Sequence, residues 1–174
     1  MSGNQIGFIL GAVAGILFLV IYGRLQKKDK KKAWCEFDER QLCARGRAFQ
    51  YGFITLMIYD IFYGVINMEG KLEWCDNLFG NFLGVALAIA IFGVYAIWND
   101  AFMNLNQRPL AICILFGGLG LLNLVGAIRY IYEDELIVDG KIGIGGTNLV
   151  CGIVLILLVV VFGIKLHMDK KEAE

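Results

Sequence analysis

Among 174 residues there is one proline, one histidine and, in five cysteines, no C-x-x-C pair. Each scarcity closes a route. A zinc centre needs several histidine or cysteine ligands, and His167 stands without companions. Thiol oxidoreductase chemistry lacks its usual motif. The lone proline, Pro109, falls where a helix would start, so no apolar run carries the internal proline break that marks many transporters. Charge is thin as well. Only 18% of residues are Asp, Glu, Lys or Arg, against about a quarter in soluble domains. No nucleophile elbow, phosphate-binding loop or dinucleotide fingerprint is present. The expectation is a protein that is not an enzyme, with no cofactor, no metal and no nucleic-acid partner.

Apolar residues are what the chain has in plenty. They make up 58% of it, and the mean hydropathy is +0.65. They cluster in runs near the 20 or so residues that cross a bilayer core. Five runs qualify, at about 5–23, 49–67, 78–98, 110–128 and 148–166. The first has no basic residue before it and no convincing A-x-A cleavage site, so it reads as a span rather than a secretory leader. The expected fold is an all-α integral membrane protein, a five-helix bundle forming a single transmembrane domain over 1–174.

Net charge is zero, with 16 basic and 16 acidic residues, but the signs are segregated. Segment 24–48 holds nine basic residues against four acidic ones. Basic residues retain a loop in the cytoplasm. The loops around 68–77 and 129–147 are mainly acidic, while Lys165, Lys170 and Lys171 follow the last run. The predicted orientation is N-terminus outside and C-terminus cytoplasmic. Within segment 24–48, Lys27, Lys28, Lys30, Lys31 and Lys32 form a run suited to anionic lipid, each lysine near that surface being worth roughly 1 kcal/mol. The same run equally serves as a topology signal alone.

Past the lysines, Asp38 followed three residues later by Gln41 suits a capping box, and one helix is predicted from about Asp38 to about Asn67. Near 135–144, two β-prone runs flank Asp139-Gly140, a pair favoured in tight turns, which predicts a short extracellular β-hairpin. Gly145 and Gly146 leave an irregular loop open as the alternative.

The stretch "DERQLCARGRAFQYGFITL", 38–56, resembles one in uncharacterised small multi-spanning membrane proteins of Gram-positive bacteria, in which D-E-R-Q precedes a span. The matching residues are Asp38, Glu39, Arg40, Gln41, Arg45, Gly46 and Ala48. The resemblance is confined to this stretch. It implies a bacterial plasma (inner) membrane protein and carries over no catalytic residues.

Two polar groups lie at membrane depth. Asp60 is near the middle of the second run, where a carboxylate costs about 2.5–3.5 kcal/mol to insert. Helical spacing sets Tyr63, Gly64 and Asn67 on its face. The functional reading is an ion or proton site formed by Asp60 with Tyr63 and Asn67. The structural reading is a hydrogen-bonded group fixing helix packing through Tyr63, Tyr95 or Asn123. Asn123, in the fourth run, is expected to bond across helices. Small residues four apart, Gly7, Gly11 and Gly15 in the first run and Gly80 and Gly84 in the third, let helix backbones approach closely. Cys75 is the one cysteine predicted on the outer side, within reach of an impermeant thiol reagent.

The leading expectation is a non-enzymatic accessory or regulatory membrane protein, acting through helix–helix contacts. The alternative is a small transporter or ion-conducting oligomer using Asp60. Its partners would be membrane lipids and a second copy or a larger membrane protein.

Overall fold

A computed structural model describes residues 37–68, 74–103 and 109–172. The first predicted span at 5–23, with Gly7, Gly11 and Gly15, and the lysines Lys27, Lys28, Lys30, Lys31 and Lys32 lie outside the described residues. Within them the chain is helical almost throughout: α1 (Glu39–Met68), α2 (Asn77–Trp98), α3 (Pro109–Tyr132) and α4 (Ile144–Glu172). All four are long and apolar enough to cross a membrane. At about 1.5 Å per residue, the 22 residues of α2 match a hydrocarbon core of about 30 Å. The 30 residues of α1 exceed it by several turns.

The start of α1 is set locally. The Gln41 amide donates to Asp38 Oδ1 at 2.6 Å, and the Asp38 amide donates to Gln41 Oε1 at 3.2 Å. This reciprocal pair satisfies two of the donors that a helix start leaves free.

The helices stand in a row. α1 packs on α2, α2 on α4, and α4 on α3. Lipid offers no hydrophobic drive for helices to associate, so close approach through small residues carries the packing. A Cβ on Gly52 of α1 would sit 3.1 Å from the Ala88 carbonyl oxygen of α2. On Gly152 of α4 it would lie 2.7 Å from Leu124 and 3.1 Å from the Gly120 oxygen of α3. Between α2 and α4, Gly93 receives Leu158, and Ile97, Leu158 and Phe162 form the buried centre. Large apolar side chains elsewhere on all four helices are exposed, which suits a surface facing lipid.

At the end formed by the last turn of α1 and the start of α2, the loops are joined by main-chain bonds. β1 (Ile137–Val138) and β2 (Lys141–Ile142) pair antiparallel across Asp139 and Gly140, whose φ values of 52° and 77° fit a tight two-residue turn. Ile142 also bridges to the stretch before α2: its amide donates to the Trp74 oxygen at 3.0 Å, and the Asp76 amide donates to its oxygen at 2.9 Å. Cys75 is thereby buried, which corrects the expectation that it stands open to an outside reagent.

Candidate functional site at one end of the bundle

At the opposite end, the first turns of α1 meet the last turns of α2 and α4. The chain leaving α2 is the centre of this junction. Its helix stops in a Schellman arrangement: the Ala101 amide donates to the Ala96 oxygen at 2.8 Å and the Asp100 amide to the Ile97 oxygen at 3.2 Å. Asp100 occupies the left-handed position, with φ 57°, where glycine is the usual residue. That conformation aims its main chain and side chain at the neighbours. Gln41 Nε2 donates to the Asp100 oxygen at 2.7 Å, so the residue that caps α1 also ties it to α2. Gln41 is the one buried polar side chain among the described residues.

The Asp100 carboxylate is shared. Arg40 Nη2 approaches Oδ2 at 3.3 Å, and Lys165 Nζ of α4 approaches Oδ1 at 3.4 Å. Lys165 also pairs with Asp169 at 2.9 Å, one turn on. The carboxylate is nearly half exposed, so each pair stabilises little by itself, of the order of 0–1 kcal/mol. The arrangement still joins three helices through one residue.

These groups border a groove of about 560 Å³. Its α1 wall is Arg40, Cys43, Ala44 and Arg47, spaced i, i+3, i+4 and i+7 along one helical face. Tyr95 and Trp98 of α2, with Asn99 just past its end, form the facing wall, and Lys165 lies at the margin. Asn99 Nδ2 is held by the Tyr95 oxygen at 2.8 Å. Arg45, on the other side of α1, lies over the Phe37 ring at 4.8 Å and takes no part. Among the described residues, Arg47 makes no hydrogen bond or ion pair. No group of three His, Cys, Asp or Glu side chains among them could hold a metal.

The residues singled out from the sequence do not converge. Asp60 is exposed on α1 and makes no hydrogen bond among the described residues, so none of the described helices covers it. The cause is helical geometry. α1 meets α2 along Gly52, Tyr59 and Tyr63, and a step of about 100° from Tyr59 turns Asp60 off that edge. Tyr63 points into α2, its hydroxyl 3.9 Å from Cys75 Sγ and its ring against Gly80. Tyr59 rests on Gly84 and donates to the Gly80 oxygen at 2.6 Å. Asn67 donates back to the Tyr63 oxygen at 2.8 Å. Asn123 likewise donates to the Leu119 oxygen of its own helix at 2.8 Å, not across to another helix, because the nearer acceptor is one turn below. His167 is exposed near the end of α4.

Sequence reasoning missed the groove. The spacing of Arg40, Cys43, Ala44 and Arg47 was the available signal on its α1 side, and Asn99-Asp100 after an apolar run marks a helix stop. Lys165 could not be joined to either without the order of helices.

The fold and this site define a class: a multi-helix protein whose four described long helices are apolar enough to cross a membrane, with a groove lined by basic residues at one end. No protein-family model, curated protein or solved structure matches the chain.

Proposed function

We propose that the chain is a non-enzymatic accessory or regulatory protein of a bacterial plasma membrane, acting through helix–helix contacts. In this reading the first span completes a five-helix protein with its N-terminus outside, its C-terminus in the cytoplasm and the 137–142 turn on the outer side. The resemblance of 38–56 to small Gram-positive membrane proteins agrees with it. Basic residues support the orientation: Arg40, Arg45, Arg47, Lys165, Lys170 and Lys171 share one end, against Arg129 and Lys141 among the described residues of the other, where Asp76, Glu133, Asp134, Glu135 and Asp139 also lie.

The observation that carries the reading is Asp60. It is exposed on a helix whose buried residues are Gln41, Ala48 and Gly52, and in this reading it lies at membrane depth. A carboxylate left in lipid is costly, and another helix bringing a donor to that face removes the cost. The test is a photoactivatable crosslinker attached through Asp60→Cys, with the native cysteines replaced. An adduct with a second copy or another membrane protein is expected, and Asp60→Leu should lower recovery of that partner. Adducts with lipid alone, or only within the same chain, overturn the reading.

A second reading, a small transporter or ion-conducting oligomer, draws on the same exposed carboxylate. It requires a second copy, since Tyr63 and Asn67 are engaged elsewhere. Here Asp60→Asn should abolish a cation or proton flux in proteoliposomes while the fold stays intact, and an unchanged flux sinks the idea.

A further inference from the structure

We infer that the groove between α1 and the C-terminal turns of α2 and α4 is a binding site for a phosphate-bearing anion, supplied by the headgroup of an anionic phospholipid. The inference rests on the proposed orientation, which sets this groove at the cytoplasmic headgroup level. It is separate from the lysine run at 27–32.

Three features of the groove fit this ligand. The first is uncommitted positive charge. Asp100 is already shared by Arg40 and Lys165, whereas Arg47 lines the same groove with no acidic partner among the described residues. A guanidinium offers a planar fork of donors that matches two phosphate oxygens, and Arg40 and Lys165 can turn from one exposed carboxylate toward a second anion. The second is the aromatic wall. Trp98 is half exposed at the last turn of α2, with Tyr95 one turn below. Such rings sit at the level where acyl chain gives way to headgroup. The third is size: about 560 Å³ falls within the range of small-ligand sites and holds a glycerophosphate headgroup. Basic pockets between helices on the cytoplasmic side are suited to lipid headgroups. The negative helix ends of α2 and α4 and the Asp100 and Asp169 carboxylates oppose the anion, so affinity should depend on the three cations together.

Cys43 lines the groove and is exposed, which makes it a reporter. In the full-length chain purified in detergent, with the other cysteines replaced, phosphatidylglycerol should slow maleimide labelling of Cys43, and phosphatidylcholine should not. Native mass spectrometry should show retained phosphatidylglycerol adducts. Arg47→Ala should weaken binding about fivefold, the fold-change for about 1 kcal/mol per basic residue at an anionic surface. Arg45→Ala, which alters a cation outside the groove, should leave it unchanged. A parallel arm uses inorganic phosphate. Protection of Cys43 by phosphate, lost in Arg47→Ala and not produced by phosphatidylglycerol, would assign the site to a soluble phosphate compound instead of a lipid. If neither probe protects Cys43, or if Arg45→Ala matters as much as Arg47→Ala, the inference is overturned. Labelling of Cys43 from outside intact cells would defeat the orientation while leaving the detergent result standing, so the two failures can be told apart.

Discussion

Three non-glycine residues among those described take a positive φ, and all three are aspartates: Asp100, Asp134 and Asp139. Asp and Asn tolerate this region better than other side chains, yet glycine enters it with least strain. Asp134 ends α3 as Asp100 ends α2, with the Glu135 amide on the Tyr130 oxygen at 2.9 Å and the Asp134 amide on the Ile131 oxygen at 3.3 Å. The two differ in what the carboxylate does. Asp134→Gly should therefore stabilise the chain by about 0.5–1 kcal/mol. Asp100→Gly should gain less than half as much, because it also frees Arg40 and Lys165. The midpoint of thermal unfolding in detergent checks both; an equal rise would mean that the shared carboxylate does not tie the helices. Gln41 gives a sharper case. It caps α1, bonds Asp100 and is buried, so Gln41→Ala should cost about 1–3 kcal/mol by the same measurement. Its capping role was legible from its spacing to Asp38. Its second bond was not, because that depends on a residue 59 positions away.

Between elements, glycine and tyrosine fit one another along α1 and α2. The Tyr59 ring lies over Gly84 and its hydroxyl is held by the Gly80 oxygen, so the ring is fixed at both ends. It also stacks on Tyr63, with centroids 5.7 Å apart. A methyl on Gly84 has no room unless the ring leaves its hydrogen bond. Gly84→Ala should cost about 1–3 kcal/mol, the range for overpacking. Gly64→Ala, on α1 where a Cβ meets nothing within 4 Å, should be neutral or stabilising by up to about 1 kcal/mol. Equal effects would show that backbone freedom, not ring packing, explains the glycines. The spacing of Gly80 and Gly84 is visible in the sequence, and so are four apolar runs that became four helices. What fills those glycines is not visible. Tyr59 and Tyr63 lie four apart on the same helix as Asp60, and the sequence alone could not say which edge α2 would take. Once α2 took the tyrosine edge, Asp60 was left outside.

For the whole molecule, the alternating direction of consecutive described helices turns a linear charge pattern into two unlike ends. Arg40 and Lys165 are far apart in sequence but meet at Asp100. Asp76 and Asp139 come together at the other end because Ile142 pairs with the stretch before α2. If basic residues decide which end remains in the cytoplasm, the groove and the tight turn must lie on opposite sides of the membrane. Cys43 in the groove and Asp139→Cys at the tip of the turn are both exposed and can report this. In intact cells an impermeant maleimide should label Asp139→Cys at once and Cys43 only after permeabilisation. Native Cys75 is a poor choice because it is buried, and it should label slowly from either side until the chain is unfolded. The opposite pattern, with Cys43 labelled in intact cells, would place the cationic end outside. Charge segregation would then not have set the orientation, and a headgroup bound in the groove would come from the outer leaflet.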